Sequence, residues 1–219
     1  MTSNKVLAID CGTTGVTALV VSEDGRVLSR GYQEFAQYFP QPGWVEHEPE
    51  EIWVATLQAC KLALRDQTVT AVGVTNQRET AVLWDRERLT APRRAIVWQD
   101  RRTTQICDRL KDGGHEARVA ELTGLRLDPY FTATKLAWLA EHDATTWAGV
   151  TAGSLVTGTV DSYVVARLTG ELLDEVQDRL ARLGYETLDA WAGVENYEER
   201  MVAGGIDPVV LAKLREATQ

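Results

Sequence analysis

The sixteen residues from Val6 to Val21 do most to limit the folds open to this chain. Val6-Leu-Ala-Ile is apolar and runs into Asp10. Cys11, Gly12, Thr13, Thr14 and Gly15 follow, and Val16 to Val21 is apolar again apart from Thr17. Two apolar strands joined by so tight a turn read as a hairpin. Gly12 and Gly15 let a bound group approach the backbone, and turn amides with the Thr13 and Thr14 hydroxyls can donate to phosphate oxygens. Asp10, at the strand end, suits a magnesium ion or its waters. The string is not a Walker loop, which needs a Lys-Ser/Thr pair opening a helix. The other reading is an ordinary hairpin in which Asp10 and the threonines make only turn hydrogen bonds.

Further along, residues 5–10, 16–22 and 26–33 read as strands, with Glu23-Asp24-Gly25 as a second hairpin connection. Pro40-Gln-Pro-Gly-Trp44 is a loop leading into Glu48-Pro49-Glu-Glu, whose proline and acidic residues suit a first helical turn. Ile52, Leu57, Cys60 and Leu64 continue that helix. Residues 70–75, 81–84 and 95–98 read as short strands, and helices are expected over 101–112, 116–123, 133–141 and 159–168. Three hairpin-linked strands followed by alternating helices and strands predict an α/β fold. The expected form is a ribonuclease H-like (actin-like ATPase) mixed sheet with flanking helices rather than an all-parallel sheet.

Composition shifts at about Glu171. Residues 171–219 hold eleven acidic and five basic residues, a net charge of −6, leaving −3 of the total −9 to residues 1–170. Leu172, Leu173, Val176, Leu180 and Leu183 form one apolar helix face closed by Gly184, and Asp207-Pro208 opens a second helix. The expected domains are therefore 1–170 and 171–219, the second a small α-helical module. The acidic balance disfavours nucleic acid as a partner. No apolar run is long enough to cross a membrane. Cys11, Cys60 and Cys107 form neither a zinc pattern nor a disulfide framework. No signal peptide precedes Asp10, so a cytoplasmic location is expected.

Seven strings in order carry a resemblance: Ile9-Asp-Cys-Gly-Thr-Thr14, Pro42-Gly-Trp-Val-Glu-His-Glu-Pro49, Val74-Thr-Asn-Gln-Arg-Glu-Thr80, Ala95-Ile-Val-Trp-Gln-Asp-Arg-Arg-Thr103, Asp128-Pro-Tyr-Phe131, Thr134-Lys-Leu-Ala-Trp138 and Gly158-Thr-Val-Asp-Ser162. Over about residues 4–170 the chain resembles the N-terminal part of the FGGY carbohydrate kinases, most closely their glycerol kinase branch. The resemblance implies ATP and Mg2+ as cofactors and glycerol or a similar polyol as partner. It implies that Arg78, Glu79, Trp98 and Tyr130 hold the polyol, while Asp10, Gly12, Thr13 and Thr14 face the phosphates, with Asp10 toward the metal. Guanidinium donors and carboxylate acceptors together suit a molecule made of hydroxyls; the other reading of Arg78 and Glu79 is a solvated ion pair at a strand end. Trp98 reads otherwise as core and Tyr130 as surface packing. Trp44 and Glu46 fall near the cleft without touching the substrate. Asp161 caps or buttresses its helix. His47, His115 and His142 receive no catalytic role.

The chain departs from the family at three points. Thr17 stands where the family has an arginine near the β- and γ-phosphates, a position where a cation stabilises transferring charge. Intact kinases of this kind are more than twice as long, and the Gly-Asp-Gln string that carries their catalytic base does not occur here. After Gly170 the sequence resembles the small helical module called a putative peptidoglycan-binding domain, on Leu180-Ala-Arg-Leu-Gly-Tyr185, Trp191-Ala-Gly-Val-Glu-Asn-Tyr-Glu-Glu-Arg200 and Ile206-Asp-Pro-Val-Val210. In that module Trp191, Glu195 and Tyr197 could line a sugar site or serve as core and solvated charge. The expected activity is phosphorylation of glycerol by lineage, impaired or absent in this chain. The alternative is a non-catalytic polyol- or partner-binding fusion with a helical tail. Surfaces left exposed by truncation would favour self-association.

Overall fold

The computed structural model describes residues 4–170. The expected helices over 171–219 lie outside the described residues, as do Trp191, Glu195 and Tyr197. Among the described residues the fold divides into two compact units, the first built from residues 4–35, 52–76 and 161–170, the second from Ala36–Glu51 and Gln77–Val160.

The first unit holds β1 (Lys5–Cys11), β2 (Gly15–Ser22) and β3 (Val27–Glu34), then α1 (Pro49–Leu64, from Ile52 onward). Beyond β4 (Glu46–His47), which belongs to the second unit, come β5 (Ala71–Asn76) and α6 (Val160–Thr169, from Asp161 onward). The sheet runs β3-β2-β1-β5, antiparallel through the two hairpins and parallel between β1 and β5. This is the expected mixed sheet. Leu7, Ile9, Cys11, Val16, Ala18 and Val20 alternate onto one buried face. That face packs on α1, where Ile52, Ala55, Ala59, Cys60 and Ala63 are buried. Ser29 Oγ donates to Ala63 O across the contact, and the Cys11 and Thr56 side chains meet at 3.8 Å. β3 comes so near that a Cβ on Gly31 would stand 2.0 Å from Ala59 O. Glu50 and Glu51 occupy the first turn of α1, where negative charge offsets the unpaired amides. Asp161 takes the same place in α6.

In the second unit β4 pairs antiparallel with β7 (Ala95–Ile96), and β6 (Val82–Asp85) with β8 (Leu155–Gly158). Four helices accompany them: α2 (Thr104–Asp112), α3 (Glu116–Thr123), α4 (Thr132–His142) and α5 (Ala144–Thr151). Leu83, Ile96 and Leu139 are its apolar centre, with Leu136, Trp138, Trp147 and Val150 packed around them. Trp44 and Glu46 serve a buried charge here. The Arg102 side chain has no exposure, lies 3.7 Å from the centre of the Trp44 ring, and pairs with Glu46 and Asp100 at 2.8 Å each. A buried guanidinium tolerates this place because two carboxylates offset its desolvation.

The strand expected over 95–98 stops at Ile96. Asp100 N bonds Val97 O at 3.0 Å, closing a turn that carries Trp98 out of the ladder. α2 opens at Thr104 rather than 101, because Thr104 N bonds back to Arg101 O in a preceding turn. Among the described residues no helix is long and apolar enough to cross a membrane.

Candidate functional site

The implicated residues form two groups, one in each unit. In the first unit Asp10 is the penultimate residue of β1, and its position is exposed. The ladders set Thr17 directly across from it on β2 and Thr75 on β5, with Tyr32 next along the row on β3. The position opposite Asp10 thus holds a hydroxyl. The turn beyond is closely built. A Cβ on Gly12 would lie 3.1 Å from Gly15 O, and one on Gly15 would lie 2.7 Å from Gln33 O and 2.8 Å from Tyr32 Oη. Phe35 N reaches Thr14 O at 3.4 Å. Neighbouring Cys11 is inert, since burial pushes its thiol up to about 12.

These residues suit a magnesium–polyphosphate group in one specific way. Among the described residues no cluster of three or more His, Cys, Asp or Glu could cage an ion. Asp10 at the exposed strand end offers one carboxylate, as a magnesium held mainly by phosphates and water would use.

In the second unit Arg78 is exposed, and among the described residues its guanidinium has no hydrogen bond or ion pair. The alternative reading of a solvated Arg78–Glu79 pair does not apply: Glu79 turns elsewhere. Its backbone is left-handed, at φ 65°, a conformation that costs a non-glycine residue about 1 kcal/mol. Its carboxylate Oε2 accepts from Thr132 N and from Thr132 Oγ1, both at 2.8 Å. Thr132 begins α4, and Phe131 at the cap position supplies no side-chain bond, so Glu79 caps this helix from a distant segment. Oε2 is thereby fixed against the start of α4.

Trp98 and Tyr130 meet edge to face, with ring centres 5.8 Å apart, and Tyr130 meets Phe131 the same way at 5.1 Å. Tyr130 N bonds Asp128 Oδ1 at 2.8 Å, fixing the turn ahead of α4. Glu79, Trp98 and Tyr130 are thus joined through short, defined contacts, with Arg78 adjoining Glu79.

Reasoning from sequence missed two supports. Thr132 anchors Glu79, and Lys135 holds the tyrosine turn from beneath. Lys135 has no exposure; its Nζ donates to Pro129 O at 3.0 Å and also to Tyr130 O. The available signal was a lysine within the apolar run Thr134-Lys-Leu-Ala-Trp138. Burial lowers the Lys135 ammonium to about 8, against the pull of Glu79, Asp100 and Asp128. Between that value and its unfolded value near 10.4, the unfolded chain keeps a proton the folded chain has shed, so stability rises with pH. Urea titrations at pH 8 and pH 10 should show the unaltered chain gaining about 1–3 kcal/mol over Lys135→Met. Equal pH slopes in the two proteins would refute this.

The hairpin-led mixed sheet and the two residue groups define an actin-like α/β domain of the sugar-kinase kind. The chain belongs to the FGGY family of carbohydrate kinases, whose N-terminal domain model matches residues 5–218. Glycerol kinase from Methylobacterium nodulans is 52% identical over 170 residues, 75% of this chain and 34% of the relative. The Ectopseudomonas mendocina glycerol kinase is 50% identical over 173 residues, covering 77% and 35%. The chain thus spans about a third of the length of the curated relatives it matches. Among solved structures it is similar to Plasmodium falciparum glycerol kinase with ADP, with TM-score 0.74, 25% identity and coverage of 77% and 35%. Xylulose kinase from Rhodospirillum rubrum shares the fold at TM-score 0.70 and 21% identity, covering 94% of this chain and 41% of the other.

Proposed function

We propose that this chain carries the polyol-binding part and the first phosphate-binding turn of a glycerol kinase-type enzyme. In that lineage the γ-phosphoryl of Mg-ATP passes to a primary hydroxyl of glycerol, giving glycerol 3-phosphate. Arg78 and Glu79 bind hydroxyls, the Trp98 ring packs against the carbon skeleton, and the Tyr130 hydroxyl makes a further contact. The observation that carries this reading is the Glu79 carboxylate, held by one oxygen against α4 beside the Trp98–Tyr130 pair.

Asp10, Gly12, Thr13 and Thr14 face the phosphates, and Asp10 holds magnesium or its waters. Bound Mg-ATP supplies the phosphoryl group and offsets its charge. Phosphoryl transfer depends on positioning and electrostatics around the whole substrate. With Thr17 at the position where the resemblance implies a cation, polyol binding with weakened turnover is the expected behaviour. The expected location is cytoplasmic, consistent with three free cysteines, all buried.

Calorimetry with glycerol tests this on the full chain. The unaltered chain should bind, and Arg78→Ala should raise Kd about tenfold or more by removing a charged donor. A coupled assay with Mg-ATP should then show turnover far below an intact glycerol kinase. Turnover equal to the intact enzyme would overturn the loss of catalysis, and absence of binding would overturn the polyol reading.

A further inference from the structure

Trp98 sits where the sheet no longer holds it. β7 ends at Ile96, and Val97 N bonds Val45 O at 3.0 Å as the last ladder-like contact before the turn. The next amide, Trp98 N, donates to Thr80 Oγ1 at 3.2 Å. Thr80 Oγ1 donates in turn to Gln77 Oε1 at 3.2 Å, and Gln77 Nε2 lies 3.1 Å from His47 Nδ1.

The direction of every link follows from its first member. A backbone amide can only donate, so the Thr80 hydroxyl accepts from it and spends its own proton on Gln77 Oε1. The Gln77 amide is thereby oriented with its NH2 toward His47, so His47 Nδ1 accepts and the ring proton lies on Nε2. His47 and Thr80 have no exposure and Gln77 has 9%, so water does not compete for the two side-chain links. Burial also lowers the His47 imidazole to about 4, which keeps it in the neutral, accepting form. The chain draws on β4, on the segment after β5 and on the turn after β7, so three of the seven motif strings meet in one line of hydrogen bonds.

We propose that His47, Gln77 and Thr80 are positioning residues that fix Trp98 for polyol binding, an inference that rests on the polyol reading above. The device sets the amide of the residue whose indole is the apolar wall of the site. It gives a role to a buried histidine and a buried glutamine that accompany Arg78 and Glu79 in the motif strings.

The test uses the full chain and two matched pairs of variants. Thr80→Val keeps shape and removes the hydroxyl, leaving a buried amide without its acceptor; Thr80→Ser returns the hydroxyl. His47→Leu removes the acceptor at Nδ1; His47→Asn replaces it with an amide oxygen. Glycerol Kd by calorimetry and hydrogen exchange at the Trp98 amide are measured together with thermal unfolding. The expected result is a roughly tenfold rise in Kd and faster Trp98 exchange in Thr80→Val, restored by Thr80→Ser. His47→Leu should weaken binding in the same direction and His47→Asn should recover it, while the two damaging changes combined should cost less than their sum. Wild-type Kd and exchange in Thr80→Val, or loss of binding that neither conservative variant restores, would overturn the inference. Absence of glycerol binding in the unaltered chain would overturn the polyol reading and the inference together. Binding undiminished by Thr80→Val would overturn the inference alone.

Discussion

Glu79→Gln is expected to weaken glycerol binding ten- to a hundredfold while leaving the unfolding temperature of the chain within about 2 °C of its original value. The two effects separate because the proposed polyol reading gives the carboxylate a second task beside the observed one. Toward the protein, Oε2 takes the Thr132 amide and hydroxyl at the start of α4. A glutamine oxygen still takes both bonds, losing only roughly a few tenths of a kcal/mol of charge–dipole stabilisation at this helix start, so the helix keeps its cap. Toward the ligand, the glutamine presents an NH2 where the carboxylate presented an acceptor. A polyol hydroxyl then loses a charge-assisted bond, worth about 1.5–3 kcal/mol. Glu79→Ala should lose both functions, adding about 1 kcal/mol of lost capping and a fall of about 2–4 °C in unfolding temperature. Calorimetry and thermal circular dichroism on the three proteins check this. Equal affinity in Glu79→Gln and the unaltered chain would remove Glu79 from the binding site.

The largest effect on stability is expected from one methyl group on β3. In Gly31→Ala the new Cβ would meet Ala59 O at 2.0 Å, Leu62 Cβ at 2.8 Å and Ala59 C at 2.9 Å. Two of these are backbone atoms inside α1 and cannot swing aside. Either the helix lifts from the sheet or β3 withdraws, and both loosen the face lined by Val16, Ala18 and Val20. Overpacking of this severity costs about 3 kcal/mol, or some 6–12 °C in unfolding temperature for a chain of this size. Gly73→Ala on β5 is the control: a Cβ there meets nothing within 4 Å, and the substitution reduces unfolded-state entropy. It should leave stability unchanged or slightly raised. Equal melting of the two variants would show that the β3–α1 contact is looser than described.

The same contrast between local and distant causes explains what the sequence revealed. β1, β2, β3 and α1 were legible because alternation, turn glycines and an acidic first turn each act within a few residues. β4 and β8 were not, since a strand of two or four residues exists through a partner far along the chain. α5 was missed for another reason. Ala144-Thr-Thr-Trp-Ala-Gly-Val-Thr151 has no charged residue and a central glycine, and its clearest start signal is Asp143, which accepts from Thr146 N. Within the candidate site, Arg78, Glu79, Trp98 and Tyr130 were singled out through the resemblance alone. Their supports were not, because Thr132 beneath Glu79 and Lys135 beneath Tyr130 become neighbours only when α4 docks.

The pairing of β1 with β5 also dictates an order of assembly. Thr70 and Lys5, which bond at the head of that ladder, are 65 residues apart, and closing such a loop costs about 4 kcal/mol of chain entropy. The hairpins of β1, β2 and β3 need no such closure and form first, giving α1 a surface on which to condense. The second unit is interleaved with this process. Its segment Ala36–Glu51 leaves the ribosome early, yet β4 must wait for Ala95 and Ile96 before it has a strand to pair with. During that interval Val45 and His47, both buried in the folded chain and His47 without exposure, stand in water, and a nascent chain halted there would present them to chaperones.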